Sequence, residues 1–402
     1  MPTDDTDLLD ARCASPEGVG AADLESRALL LAIFQLAKEA QHQNLSQLVE
    51  KVRSWDSFFY LAREHRVLPM VFPRLNVYGV SVPLNVETCL RAEYERNVLQ
   101  CLVNAGELIA ILSAFEREGI PALPNKGVSL AASAYHDLAA RPAGDLDLLV
   151  HRRDLARASS ILFERGYTRL TPIHADGTPV IRDLHEYQFE RPSDGMQLEL
   201  RWQLDMSHPG FKRNLGLDWM WPARRVVNFA GAEIANLSPE ITLLVLCMHG
   251  SKHGWPRLVW ILDVAQLLLS FPALDWNEVL REGKKSGLSR TLALGVHLAH
   301  RVIGATVPDA ILRRFRSDRS MSALAQHIEK ALFGLSPRDP ANRTGYKFRL
   351  MTFGDRVRYL CSLEPLRPDD KDRAVLPLPR SLHGLYYLIR PFRILRGRLA
   401  RY

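Results

Sequence analysis

Cysteine is scarce in this chain. Five residues, Cys13, Cys89, Cys101, Cys247 and Cys361, are spread over 402 positions with no C-x-x-C pair. An odd, sparse set of this kind argues against a disulfide framework and against a cysteine-based zinc site. The start, Met1-Pro2-Thr3-Asp4-Asp5, is acidic and lacks the basic-then-apolar pattern of a secretory signal. No uninterrupted apolar run is long enough to span a bilayer, so the cytoplasm is the expected location. There is no internal repeat and no low-complexity array. The G-x-x-x-x-G-K-[ST] loop and the H-E-x-x-H helix are both missing, which removes the P-loop and zincin readings. No separate basic domain interleaves aromatics as single-strand binding requires, so nucleic acid is not an expected partner. Acidic residues are missing altogether after Asp372, while Arg380, Arg390, Arg393, Arg396, Arg398 and Arg401 punctuate that tail.

What is present is an ordinary globular composition, 47% hydrophobic and 24% charged, with a net charge of +7. A chain of this length buries a large core and is expected to hold two or three domains. The positive balance favours anionic ligands: nucleotides, phosphosugars, nucleic acid or an acidic membrane surface.

The chemistry concentrates in Asn125-Lys126-Gly127-Val128-Ser129, Arg141 and Gly144-Asp145-Leu146-Asp147-Leu148-Leu149-Val150. Asp145 and Asp147 alternate with apolar residues, so on a strand both carboxylates leave one face while Leu146, Leu148 and Val150 enter a core. Paired carboxylates repel unless a cation lies between them, and Mg²⁺ prefers such oxygen ligands. Upstream, an apolar run over Gly119–Pro124 leads through Lys126-Gly127 into a helical stretch, Val128–Tyr135. That strand–turn–helix order points backbone N–H groups at a helix start, where anions bind. Gly127 allows close backbone approach, Ser129 offers a hydroxyl and Lys126 a charge. Arg141 either positions a phosphate or pairs with a nearby aspartate.

Downstream, His185–Glu190 and Met196–Gln203 alternate around the turn Pro192-Ser193-Asp194-Gly195 and read as a hairpin. Glu199 and Arg201 share one face of its second arm; Glu186 and Glu190 rival Glu199 as a third carboxylate. Further on, Ser238-Pro239-Glu240 starts a helix, with Ser238 as cap. It leads to His249-x-x-Lys252-His253, where a persistent helix sets the two histidines one turn apart. Gly250 counts against that persistence. Zinc at this pair is the minor reading, and a polar helix end is the bland one. Residues 219–235 read as irregular, and Asp263 within an apolar helix reads as a structural acid with a partner. His65 and Arg66 read as a polar helix end.

Lys126-Gly127, Arg141, Asp145-x-Asp147, Glu199 within Leu198-Glu199-Leu200-Arg201-Trp202, and His249-x-x-Lys252-His253 together resemble bacterial uncharacterised nucleotidyltransferases. That family has a DNA polymerase β-like core, and the resemblance is strongest over roughly 116–270. It implies an α+β fold: a small mixed β-sheet nucleotidyltransferase core flanked by N-terminal and C-terminal helical regions. The expected divisions are a disordered lead-in (1–22), an N-terminal helical region (23–115), the core (116–235) and a C-terminal helical region with a basic tail (236–402). The implied activity moves an NMP group from an NTP, ATP by default, to a hydroxyl-bearing small-molecule, sugar or peptide acceptor, releasing pyrophosphate. The implied site has two Mg²⁺ ions on Asp145, Asp147 and Glu199, with Glu199 as ligand or base. Lys126, Gly127 and Ser129 cradle phosphates, and Arg141, Lys252 and His253 are outer contacts. The family usually follows the glycine with Gly or Ser, whereas Val128 intervenes here. That departure favours the alternative, a noncatalytic anionic-ligand or membrane-surface binding protein retaining the fold. The basic tail reads first as a terminal helix docking its apolar side, and otherwise as a peripheral membrane contact or a holder of a phosphorylated acceptor.

Overall fold

The computed structural model describes residues 24–35, 41–142, 144–172, 185–204, 215–332, 343–361, 380–387, 389–390 and 393. The expected lead-in at 1–22 and most of the basic tail lie outside the described residues.

Four short helices come first: α1 (Leu24–Phe34), α2 (Gln41–Lys51), α3 (Trp55–Glu64) and α4 (Leu68–Val77). Pro69 and Pro73 read as breakers, yet α4 runs through both. Pro69 sits in the first turn, where no backbone bond is lost, and Pro73 sacrifices only one. His65 is fully buried, and its Nδ1 accepts from the Leu258 N–H at 3.2 Å, capping a later helix. It is therefore a structural cap and not a solvated helix end.

The long helix α5 (Leu84–Arg117) belongs to two cores. Val86 and Leu90 pack into the large helical core, while Cys101, Leu108, Ile111 and Phe115 lie under the sheet. Among the described residues α5 is the one helix long and apolar enough to cross a membrane, by length and composition only. Its Glu107 is forked by Arg165, with both contacts at 2.9 Å, and pairs with Arg191 at 3.0 Å.

The sheet comprises β1 (Ala122–Pro124), β2 (Asp145–Val150), β3 (Thr168–Arg169), β4 (Glu186–Arg191) and β5 (Met196–Arg201), in the order β1-β2-β5-β4-β3. β2 and β5 run parallel; the other neighbours are antiparallel. Alternation sends Leu146, Leu148, Val150, Leu198 and Leu200 onto α5 and onto α7 (Leu155–Glu164), the helix after β2. Between β1 and β2, α6 (Val128–Leu130) continues as a π-helical turn over Ala131–Tyr135.

Residues 219–235, read as irregular, instead contain most of a hairpin that follows α8 (Leu217–Met220). Its arms are β6 (Arg224–Phe229) and β7 (Ala232–Leu237). Ala230 and Gly231 both take positive φ (50° and 87°), the geometry of a two-residue hairpin turn, but without the usual Asn-Gly signature. Arg224, Arg225 and Val226 in its first arm are exposed, so no buried alternation betrays the strand.

The C-terminal helices are α9 (Pro239–His253), α10 (Leu258–Ser270), α11 (Trp276–Lys285) and α12 (Ser289–Leu298), the last extended by a π-helical turn to Ile303. They are followed by α13 (Asp309–Arg316), α14 (Arg319–Leu332), α15 (Arg343–Leu350) and α16 (Phe353–Cys361). Leu123 on β1 and Leu149 on β2 enter the same core as α9 and α10. The sheet is thus set between helices, the α+β arrangement expected.

Candidate active site

Parallel pairing places Asp147 directly beside Glu199, and Leu149 beside Arg201. Because side chains alternate, Asp145, Asp147, Glu199 and Arg201 leave the sheet on one face. One ligand-type oxygen from each of Asp145, Asp147 and Glu199 lies within 4.8 Å of the others. The Asp147 side chain is completely buried, whereas Asp145 and Glu199 stand nearer solvent.

Such a cluster would be costly in isolation, since buried charges need partners. Lys126 Nζ lies 2.6 Å from Asp147 Oδ2 and 4.0 Å from Asp145 Oδ2. Arg201 Nε donates to Asp147 Oδ1 at 3.0 Å, and its other nitrogens contact Glu186 and Glu199. Burial alone would raise the Asp147 pKa, but the Lys126 and Arg201 cations outweigh it and hold the carboxyl well below the usual range. Its neighbour moves the other way. Burial, followed by the hydrogen bond to Asp147 and that group's charge, pushes Glu199 up to about 7. Burial acts to discharge Lys126, yet Asp147 and Asp145 keep its ammonium above its ordinary value. The paired carboxylates are thus not left to repel each other, because Asp147 anchors two cations.

The Lys126 turn is held by Gly127, whose φ of 67° and ψ of −134° suit glycine almost alone. A Cβ there would also sit 3.3 Å from the Asp145 carbonyl oxygen. Val128, the departure from the usual pattern, is buried in the core beneath the sheet and anchors the turn by packing. Ser129 is not presented to a ligand; its buried hydroxyl donates to the Lys126 carbonyl at 2.9 Å. Arg141 is likewise engaged elsewhere: Nε and Nη2 fork onto Asp263 at 2.7 and 3.0 Å, and the Tyr135 hydroxyl donates to the same carboxylate at 2.9 Å. Of the two roles open to Arg141, the aspartate pair is the one formed. Asp263 is the partnered structural acid expected.

At the end of α9 the helix persists through Gly250 to His253, and Gly254 closes it in the left-handed conformation. Gly250 makes room for the fully buried Trp255 indole, since a Cβ would lie 2.4 Å from Cζ3. His249 and His253 rings lie 4.9 Å apart, and each is 5.1 Å from Trp260 on α10. The site's charges reach these rings. Burial first, then Lys126, pull His249 well below the ordinary imidazole value; burial, Lys252 and Lys126 lower His253 to about 4. Both imidazoles are therefore neutral near pH 7, so His253, expected as an outer contact, carries no charge to offer a phosphate. Lys252, between them in sequence, is half-buried.

The structure thus brings together Asp145, Asp147, Glu199, Lys126 and Gly127, with His249 and His253 within electrostatic range. Glu190 pairs with Gln197, two strands over from Asp145, whereas Glu186 joins through Arg201. Arg201 is a site residue that sequence reasoning misses; the strand face it shares with Glu199 is the signal that could have found it. The carboxylate donors fit a hard divalent cation, which favours oxygen ligands.

A family model described as "Uncharacterised nucleotidyltransferase" matches residues 51–304, a span that contains the whole carboxylate cluster and reaches from the end of α2 to the turn after α12. A search of curated proteins gave no match. Among solved structures, the solution structure of the antibiotic-resistance factor ANT(2'')-Ia is 15% identical, with a TM-score of 0.33; the match covers 50% of this chain and 99% of that one.

Proposed function

The chain belongs to the uncharacterised nucleotidyltransferase family, and from that premise we propose that it moves an NMP group from an NTP, ATP by default, to the hydroxyl of a small-molecule, sugar or peptide acceptor. In this reaction the acceptor oxygen bonds to the α-phosphorus. The bond from that phosphorus to the bridging oxygen breaks, and pyrophosphate leaves. The observation that carries the reading is the three carboxylate oxygens within 4.8 Å, faced by the Lys126–Gly127 turn. Asp145, Asp147 and Glu199 would hold two Mg²⁺ ions, whose charge would neutralise the triphosphate and lower the acceptor hydroxyl's pKa. An anionic triphosphate does not approach bare carboxylates, so nucleotide affinity should require the cation. Lys126 supplies a further positive charge beside Asp147. The Gly127 backbone can approach a phosphate closely because it carries no side chain. Glu199, directly beside Asp147, would act as a metal ligand or as the base that takes the acceptor proton. Lys252 remains as an outer contact for the phosphates. Intact carboxylates and an ordered Gly127 turn disfavour the noncatalytic alternative. We place the protein in the cytoplasm.

The test is calorimetric ATP binding with Mg²⁺ and with EDTA, followed by a pyrophosphate-release screen over acceptors. Asp145→Asn should abolish release, and Glu199→Gln should cripple turnover more than binding, whereas Glu190→Gln should change neither. Full release in Asp145→Asn with a genuine acceptor would refute the site.

A further inference from the structure

The end of α9 and the first turn of α10 gather three flat side chains, His249, His253 and Trp260, with ring centroids 4.9 to 5.1 Å apart. His253 is exposed and Trp260 half-buried, so the cluster opens to solvent and is not sealed in the core. Its position relative to the carboxylates follows from α10. Trp260 lies three residues before Asp263, so both occupy one face of the helix. Asp263 holds Arg141, and the chain from Arg141 runs four residues to Asp145. The face carrying Trp260 is thus the face docked against the loop that feeds the metal-binding strand. His249 on α9 comes within the field of Lys126, Asp147 and Arg201.

We propose that His249, His253 and Trp260 form the surface on which the nucleobase of the NTP stacks, with the triphosphate directed toward Lys126 and the carboxylates. The inference rests on the nucleotidyl-transfer reading above and names the base subsite for it. Neutral rings are suited to such stacking, because a purine or pyrimidine offers a π face to any aromatic plane and the contact tolerates a change of base. Imidazoles lacking charge near neutral pH add contact area without a cation's hydration. Arg257, whose guanidinium carbon lies 5.5 Å from the Trp260 ring centroid, packs over the indole. A phosphate clamp would instead want charged imidazoles, which this environment disfavours.

The experiment compares ATP with inorganic tripolyphosphate as calorimetric ligands, in Mg²⁺, for wild type, Trp260→Leu, Trp260→Phe and His253→Ala. Trp260→Leu should weaken ATP about tenfold while tripolyphosphate affinity stays within about twofold, and Trp260→Phe should bind ATP nearly as wild type does. His253→Ala should follow Trp260→Leu in direction. Retained tripolyphosphate binding shows that the variants are folded. Unchanged ATP affinity in Trp260→Leu and His253→Ala overturns the stacking surface alone. Parallel loss of ATP and tripolyphosphate overturns it in favour of a phosphate contact. Wild-type protein that takes up no nucleotide refutes the transfer reading, and the base subsite falls with it.

Discussion

Gly250→Ala is the substitution for which helix propensity and tertiary packing make opposite forecasts. In an exposed helix interior, Ala in place of Gly gains about 1 kcal/mol. Here the new Cβ would lie 2.4 to 2.5 Å from Cζ3, Cε3 and Cη2 of Trp255. Ordinary carbon contacts are about 3.5–4.0 Å, so the ring must retreat by more than about 1 Å. It has little room to do so. Trp255 is fully buried, and a Cβ on Gly295 opposite would already be 3.0 Å from Cη2. Overpacking of this kind costs about 1–3 kcal/mol, and an indole pinned between two glycines belongs at the upper end. The expected net effect is a destabilisation of about 2 kcal/mol after the propensity gain is subtracted. Urea unfolding followed by circular dichroism should measure it in a double-mutant cycle with Trp255→Leu, which deletes the clashing ring atoms. Trp255→Leu alone should cost about 2–3 kcal/mol, somewhat less than a full Trp truncation. In that background Gly250→Ala should change sign and stabilise by up to about 1 kcal/mol. A Gly250→Ala protein as stable as wild type, or a penalty that persists after the indole is removed, would refute the packing account.

Two other outcomes follow from the same geometry. Gly127→Ala forces a residue with a Cβ into φ 67°, ψ −134° and against the Asp145 carbonyl; a loss of about 1–3 kcal/mol in urea unfolding, with weaker ATP binding as Lys126 is displaced, is expected, and a neutral result in both assays would contradict it. The depressed imidazoles set an acid-side dependence: a base whose pKa falls on folding, as His253 does to about 4, contributes stability that is present above its unfolded value and lost as pH drops through the folded one. Melting temperature should therefore fall between about pH 6.5 and pH 4, and His253→Gln should flatten part of that slope; an identical slope in the variant would show that the ring does not titrate as described.

Legibility in the sequence tracked how local each interaction is. Period-two alternation was enough to put Asp145 with Asp147, and Glu199 with Arg201, on common faces, and turn chemistry located the β4–β5 hairpin. Ser238-Pro239 marked the start of α9, where the Ser238 hydroxyl accepts from the Ile241 N–H at 3.3 Å. The β6–β7 hairpin escaped because an Ala-Gly turn and exposed arginines carry no such mark. Ser129 and Arg141 were harder for a different reason. Hydroxyls and guanidiniums bind ligands and fold partners with the same groups, and only the tertiary neighbours, the Lys126 carbonyl and Asp263, decide which.

Charge balance was the least local property of all. From sequence, Asp145 and Asp147 are a repelling pair awaiting a metal. In the fold, Lys126 arrives from one connection and Arg201 from a parallel strand some fifty residues on, and both converge on Asp147. On the proposed reading, metal uptake would do more than fill a gap between carboxylates, because it would compete with two cations already paired there. Lys126 and Arg201 keep Asp147 ionised without a metal. Their positive charge stays beside the cluster when a triphosphate arrives. On the proposed reading, such a site would bind cation and nucleotide together, each making the other's approach less costly.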